Sequence, residues 1–74
     1  MHMNKKTEKG ELWYNVEVRE DLFDAAVLVC RWGKVGSLGR QGPSKPFPSM
    51  RAAEDEQIRI IEQKERLGYE LESR

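Results

Sequence analysis

The stretch "VLVCRWGKVGSLGRQG", residues 27–42, carries the strongest structural signal in the chain. It begins as an apolar run typical of an interior β-strand and then places a glycine at every third position, at Gly33, Gly36, Gly39 and Gly42. Basic residues lie among these glycines, and no acidic residue does. The segment is therefore either a hairpin that needs flexible backbone or a surface that binds something negatively charged.

The segment before it, "ELWYNVEVRE", alternates between apolar and polar residues. Leu12 and every second residue up to Val18 fall on one face, while Trp13 lies among the polar residues of the other. This period of two predicts a half-exposed antiparallel strand. Together with the apolar run "DAAVLVCRW", it predicts a hairpin over residues 12–32, connected through "EDLFD".

The segment "GRQGPSKPF" predicts a third, irregular strand. Pro43, Pro46 and Pro48 have no backbone N–H and cannot donate a hydrogen bond to a neighbouring strand. We therefore expect this strand to lie at an edge of the sheet or to be broken.

An amphipathic helix follows, with Ser49 as its predicted N-cap and Gly68 as the left-handed residue that ends it. Its apolar stripe comprises Met50, Ala53, Ile60, Ile61 and Leu67. Gln57 and Lys64 lie inside this stripe, which the periodicity does not explain. The predicted fold class is α+β, with a small antiparallel sheet of three to four strands packed against one C-terminal helix.

The chain of 74 residues is long enough for one small domain. Residues 1–10, "MHMNKKTEKG", contain little apolar character and are predicted to form a flexible N-terminal tail, which leaves residues 11–74 as the domain. The only cysteine, Cys30, excludes an internal disulfide and favours a cytoplasmic location. No apolar run approaches the roughly 20 residues of a membrane span, so no membrane partner is expected.

The net charge of zero conceals an uneven distribution. Residues 1–51 contain nine Lys or Arg against six Asp or Glu, whereas residues 52–74 contain four against seven. Residues 25–53 include five cations and no acid. Such a tract can attract an anionic partner, although a solvated basic loop balanced by an acidic helix would give the same counts.

The sequence offers few residues that could catalyse a reaction or bind a cofactor. His2 lies in the predicted tail and Cys30 lies mid-strand among apolar neighbours, so no nucleophile and base can be assembled. The glycine spacing matches neither of the two common phosphate-binding loop motifs, and no Cys/His cluster offers zinc ligands. We predict a protein that is not an enzyme, with no catalytic residues, no cofactor and no metal.

The position of the Trp32 side chain decides whether this segment can contact a ligand. By alternation it shares a face with Leu28 and Cys30, which favours a core position. It also adjoins Arg31 and Lys34, so an exposed indole could stack on a base while the cations bind phosphates. The alternation leaves both positions open, core-facing and ligand-facing.

Several of these segments occur in the order typical of one protein family. The chain resembles the WGR domain family through "RWGKVGSLGRQ", then "KPFPS", and finally "KERLGYE". The matching residues, within about residues 11–70, are Trp32, Gly33, Lys34, Val35, Gly36, Gly39, Gln41, Phe47, Ser49, Ala53, Lys64, Gly68 and Tyr69. Two departures from the family pattern are Lys34, in place of the arginine that names the family, and an inserted Arg40 before Gln41.

The resemblance implies a non-enzymatic module that binds nucleic acid. WGR domains occur in DNA-damage-sensing poly(ADP-ribose) polymerases, where they contact DNA near a break, and in short bacterial proteins. With the acid-free tract, it predicts a nucleic-acid-binding set of Arg31, Trp32, Gly33, Lys34, Arg40, Gln41 and Lys45. The expected partner is the backbone or the ends of DNA, or else RNA, bound with low sequence specificity. The alternative is a protein-interaction or dimerisation module of a bacterial regulator, acting through the sheet face around Trp13 or the edge near residues 43–48.

Overall fold

A computed structural model of the chain describes residues 1–21 and 25–72. Its elements are β1(His2–Thr7), β2(Gly10–Arg19), β3(Ala26–Lys34), β4(Arg40–Gln41), β5(Lys45–Phe47), α1(Met50–Arg66) and β6(Glu70–Leu71). The strands form one antiparallel sheet in the order β4-β3-β2-β1-β6, and β5 also pairs with β3. The predicted α+β class with one C-terminal helix is confirmed.

The central hairpin is the one that the alternation predicts. Strands β2 and β3 pair along eight positions, with Trp13 opposite Gly33 and Tyr14 opposite Trp32. The connection "EDLFD" falls in part on residues 22–24, which lie outside the described residues. Alternate residues of the hairpin point toward α1, on what we call the helix face, and the others lie on the open face.

The core lies between the helix face and α1. Its buried cluster contains Val16, Leu28 and Ile60, one residue from each of three elements. Partly buried residues that pack against this cluster are Tyr14, Val18, Cys30 and Phe47. Among the described residues, no helix combines the length and the apolar character that a membrane span needs.

The N-terminal segment differs from its prediction. Residues 1–10 are expected to be a flexible tail, yet His2–Thr7 pair with β2 along their whole length, and Met3 is fully buried. The prediction is wrong for this strand because its stability comes from backbone pairing and one buried side chain. A single Met among polar residues gives no periodic signal. With β1, the two-residue β6 and the divided third strand, the sheet has six strands among the described residues, more than the three to four predicted.

The third strand is broken, as its prolines predict. β4 and β5 both pair with β3, and the residues between them include Pro43. Gly42 N–H still donates to the carbonyl oxygen of Cys30 at 2.9 Å, so the chain stays close to β3 across the break. Pro46 lies on the outer edge opposite Val27, where its missing N–H leaves no partner unsatisfied in the sheet.

Both predicted caps of α1 are confirmed. Ser49 Oγ accepts a hydrogen bond from Ala52 N–H at 3.1 Å. At the other end, Gly68 has φ +100°, and its N–H and that of Tyr69 donate to carbonyl oxygens of the last turn at 3.0 and 3.1 Å. This pair of hydrogen bonds is the Schellman motif, which ends a helix at a left-handed glycine. The helix therefore begins and ends where local sequence directs.

The buried part of the apolar stripe of α1 is shorter than predicted. Ala53, Ile60 and Ile61 are buried, but Met50 and Leu67, at the two ends, keep 37% and 53% of their surface exposed. The buried part of the stripe is therefore the middle of the helix.

The two polar residues in the stripe have specific contacts with the sheet. Gln57 Nε2 donates to the carbonyl oxygen of Val16 at 2.9 Å, in the partly buried layer between helix and sheet. The Lys64 ammonium lies 4.6 Å from the centre of the Tyr14 ring, a cation–π contact. Each polar group is thus matched to a partner on the sheet.

Candidate nucleic-acid interface

Trp32 occupies a border position, partly packed and partly exposed. Its ring is nearly parallel to that of Tyr14, with centroids 5.8 Å apart. On the side of the edge strand, Gly42 lies so close that a Cβ there would be 3.3 Å from the indole. The side chain lies on the helix face and still leaves 36% of its surface exposed. One part of the Trp32 side chain is thus packed, as a core position requires, and another part is exposed, as contact with a ligand requires.

A groove runs along this part of the molecule, between α1 and the edge of the sheet. It has a volume of about 270 Å³. The sheet and its edge segment contribute Trp32, Gly42, Pro43 and Lys45, and the helix contributes Arg59, Gln63 and Lys64. Aromatic surface, with cations from both the sheet edge and the helix, suits an anionic ligand that has a flat apolar part.

Three cations share the helix face at the edge of the sheet, and with Trp32 we call them the basic edge. Arg40 lies directly opposite Trp32, Lys45 lies opposite Leu28, and Lys34 follows Trp32 by two residues on β3. At about 3.3 Å per residue they extend over roughly 20 Å. Within the described residues, none of the three has a carboxylate within ion-pairing distance. The basic edge therefore presents three cations that are not tied up in ion pairs with any described residue.

The remaining predicted polar residues lie elsewhere. Arg31 and Gln41 face each other across the β3–β4 pair and share the open face, so the structure does not bring them to the basic edge. The Arg31 guanidinium donates to the carbonyl oxygen of Leu38 at 2.9 Å and holds the glycine segment against the sheet. The predicted set is thus divided between the two faces of the sheet.

The glycine segment is built as a tight turn. The carbonyl oxygen of Lys34 accepts hydrogen bonds from Ser37 N–H, Ser37 Oγ and Trp13 Nε1 at 3.0, 2.8 and 3.0 Å. Gly36 has φ +95° at the third position of this turn, as a type II turn requires. Gly39, with φ +72°, packs against the Trp13 ring. Gly36 and Gly39 therefore serve the geometry of the turn.

Trp13 lies on the open face. Its ring stacks on His2 with centroids 5.9 Å apart, and its indole N–H is used by the Lys34 carbonyl. Trp13 thus holds the glycine turn through this hydrogen bond and its packing on Gly39, and its side chain is half-buried.

Burial raises the pKa of Tyr14, and the neighbouring Cys30 thiol acts in the same direction. The phenol is therefore neutral at physiological pH. Lys64 accordingly contacts an uncharged ring.

Sequence analysis missed the wall that α1 contributes. Arg59 and Gln63 are four residues apart and share one side of the helix, next to Ile60 in the apolar stripe. That spacing was available as a signal, but which sheet edge this side meets depends on how α1 crosses the sheet. Neither residue could be assigned to the groove from the periodicity alone.

Comparison with known proteins identifies the family of the chain. A family model described as "WGR domain" matches residues 1–74, the whole chain. Neither the search of curated proteins nor that of solved structures gave a match. The matched region includes β1, the glycine turn with Trp32 and the helix with its Gly68–Tyr69 cap. The chain belongs to the WGR domain family.

Proposed function

We propose that this chain is a non-enzymatic, cytoplasmic module that binds the backbone of nucleic acids, DNA or RNA, with little sequence specificity. The observation that carries the proposal is the basic edge, where three unpaired cations flank a partly exposed tryptophan. Membership of the WGR family supports it, since WGR domains are nucleic-acid-binding in general and are not catalytic by themselves.

Each residue of the basic edge has a distinct role in this proposal. Lys34, Arg40 and Lys45 bind phosphates, and the exposed part of Trp32 contacts a base or a sugar. A lysine at position 34 acts as a point charge and attracts phosphate without the fixed, two-pronged geometry of arginine. Arg31 and Gln41, on the open face, contribute less, because Arg31 already binds Leu38.

The test is a titration of labelled duplex, nicked and single-stranded DNA, and of RNA, at several salt concentrations. Each neutralised phosphate of duplex DNA contributes about −0.9 to the slope of log affinity against log salt, so three contacts predict a slope of about −3. Raising the salt from 50 to 200 mM should then weaken binding by roughly 40-fold. A flat salt dependence, or no binding at low salt, would contradict the proposal.

A second candidate, a protein-interaction or dimerisation module, has one observation in its favour. Val35 and Leu38, on the glycine turn beside Trp13, keep 56% and 86% of their surface exposed. Exposed apolar side chains beside an aromatic ring are typical of contacts between proteins. Under this candidate, light scattering detects self-association that Leu38→Ser abolishes while nucleic-acid affinity is unchanged. A chain that stays monomeric at about 100 μM would argue against the homodimer.

A further inference from the structure

One cation in the groove is already occupied by an anion of the same helix. The Arg59 guanidinium lines the groove and makes two hydrogen bonds to the Glu56 carboxylate, of which Nη2–Oε2 measures 2.8 Å. This two-pronged geometry is also the one by which arginine binds a phosphate. Glu56 thus holds Arg59 in the way that a phosphate of a bound strand would.

Glu56 also lies under the influence of a cation of the basic edge. The hydrogen bonds from Arg59 lower the pKa of Glu56, and the charges of Arg59 and Lys45 act in the same direction. The carboxylate is therefore ionised at neutral pH. It offsets the charge of cations on both walls of the groove, Arg59 on the helix and Lys45 on the sheet.

The pair can be exchanged at low cost. Residues 56 and 59 are three apart on one helix, and the exposed fractions of their side chains are 65% for Arg59 and 20% for Glu56. Ion pairs between residues three apart on a helix change an equilibrium constant by only about twofold. A phosphate in the groove can therefore take Arg59 from Glu56.

We propose that Arg59 is a further nucleic-acid-binding residue and that Glu56 is a built-in competitor, which Arg59 exchanges for a phosphate when a strand enters the groove. The inference rests on the proposed function. It adds to the same site a binding residue on α1 and a carboxylate that competes with the bound phosphate. Nucleic-acid affinity is then set partly by an acid on α1, in addition to the cations of the basic edge.

The experiment is a double-mutant cycle on labelled DNA at 50 mM salt. Glu56→Gln should tighten binding roughly three- to tenfold, because Arg59 is freed and a repelling charge is removed. Arg59→Gln should weaken binding and reduce the salt slope by about 0.9. When Arg59 is already replaced by Gln, Glu56→Gln should raise the affinity by less than about twofold, since the arginine that it would free is absent.

Asp55→Asn is the matched control. It removes one negative charge from the neighbouring position, where the carboxylate pairs with Arg51, a residue that does not line the groove. Equal gains from Asp55→Asn and Glu56→Gln would overturn the exchange and leave only a net-charge effect, and so would a full gain that persists without Arg59. If the wild-type chain binds with the expected salt slope while the cycle fails, only this inference is lost. If it binds no nucleic acid, the proposed function fails as well.

Discussion

Gly39→Ala is expected to destabilise the fold by about 4 kcal/mol. A Cβ at this position would lie 2.4 Å from the Trp32 carbonyl oxygen and 2.4 Å from the Trp13 ring, closer than packed atoms approach. Gly39 also has φ +72°, where an alanine is strained by about 1–3 kcal/mol, and forced overpacking adds a similar amount. The free energy of unfolding by urea, followed by tryptophan fluorescence, measures the change.

Gly36→Ala is the control for backbone strain alone. Gly36 has φ +95°, yet a Cβ there would meet nothing within 4 Å. We therefore expect a loss of only about 1 kcal/mol. The difference between the two variants isolates the close approach of the glycine turn to the two tryptophans. Equal losses would mean that this approach does not stabilise the hairpin.

The triple variant Lys34→Gln/Arg40→Gln/Lys45→Gln is expected to lose most of its nucleic-acid affinity, roughly 100-fold at low salt. Each charge-assisted contact to a phosphate contributes on the order of 1 kcal/mol or more, and three together correspond to about two powers of ten. The salt slope should become shallower by about 2.7. Titration of the same labelled DNA over a range of salt concentrations measures both quantities.

A second triple variant, Lys6→Gln/Lys9→Gln/Arg66→Gln, makes the same change in net charge away from the basic edge. These three residues are exposed, and none of them lines the groove. If binding depends on the basic edge, this variant should lose less than about fivefold in affinity, through long-range attraction alone. Equal losses from the two triples would show that only net charge matters and would remove the basic edge as a site.

Local rules predicted the parts of the fold whose causes are local. The alternation in β2 and the apolar run in β3 identified the hairpin, and the prolines identified a broken edge strand. Ser49 and Gly68 marked both ends of the helix, because a cap depends on only a few neighbouring residues. β1 escaped prediction, since a single apolar residue, Met3, carries its packing and gives no periodic signal.

The candidate site also has a part that local sequence predicts and a part that depends on the register between strands. Alternation along β3 already separates Arg31 from Trp32, because successive side chains of a strand point to opposite faces. The faces of Arg40, Gln41 and Lys45 depend on how the chain returns through the glycine turn, which fixes the register of β4 and β5 against β3. Periodicity within one strand carries no information about that register.

By itself, the sequence determined the family, the hairpin, the helix with its caps and the acid-free tract that contains Trp32. These features rest on side-chain period, turn residues and composition, which need no partner element. Tertiary structure alone decided that Trp32 is packed and exposed at once, and that Arg59 faces it across a groove. Both depend on where the helix and the edge strand pass over the central hairpin, which is set by long-range packing.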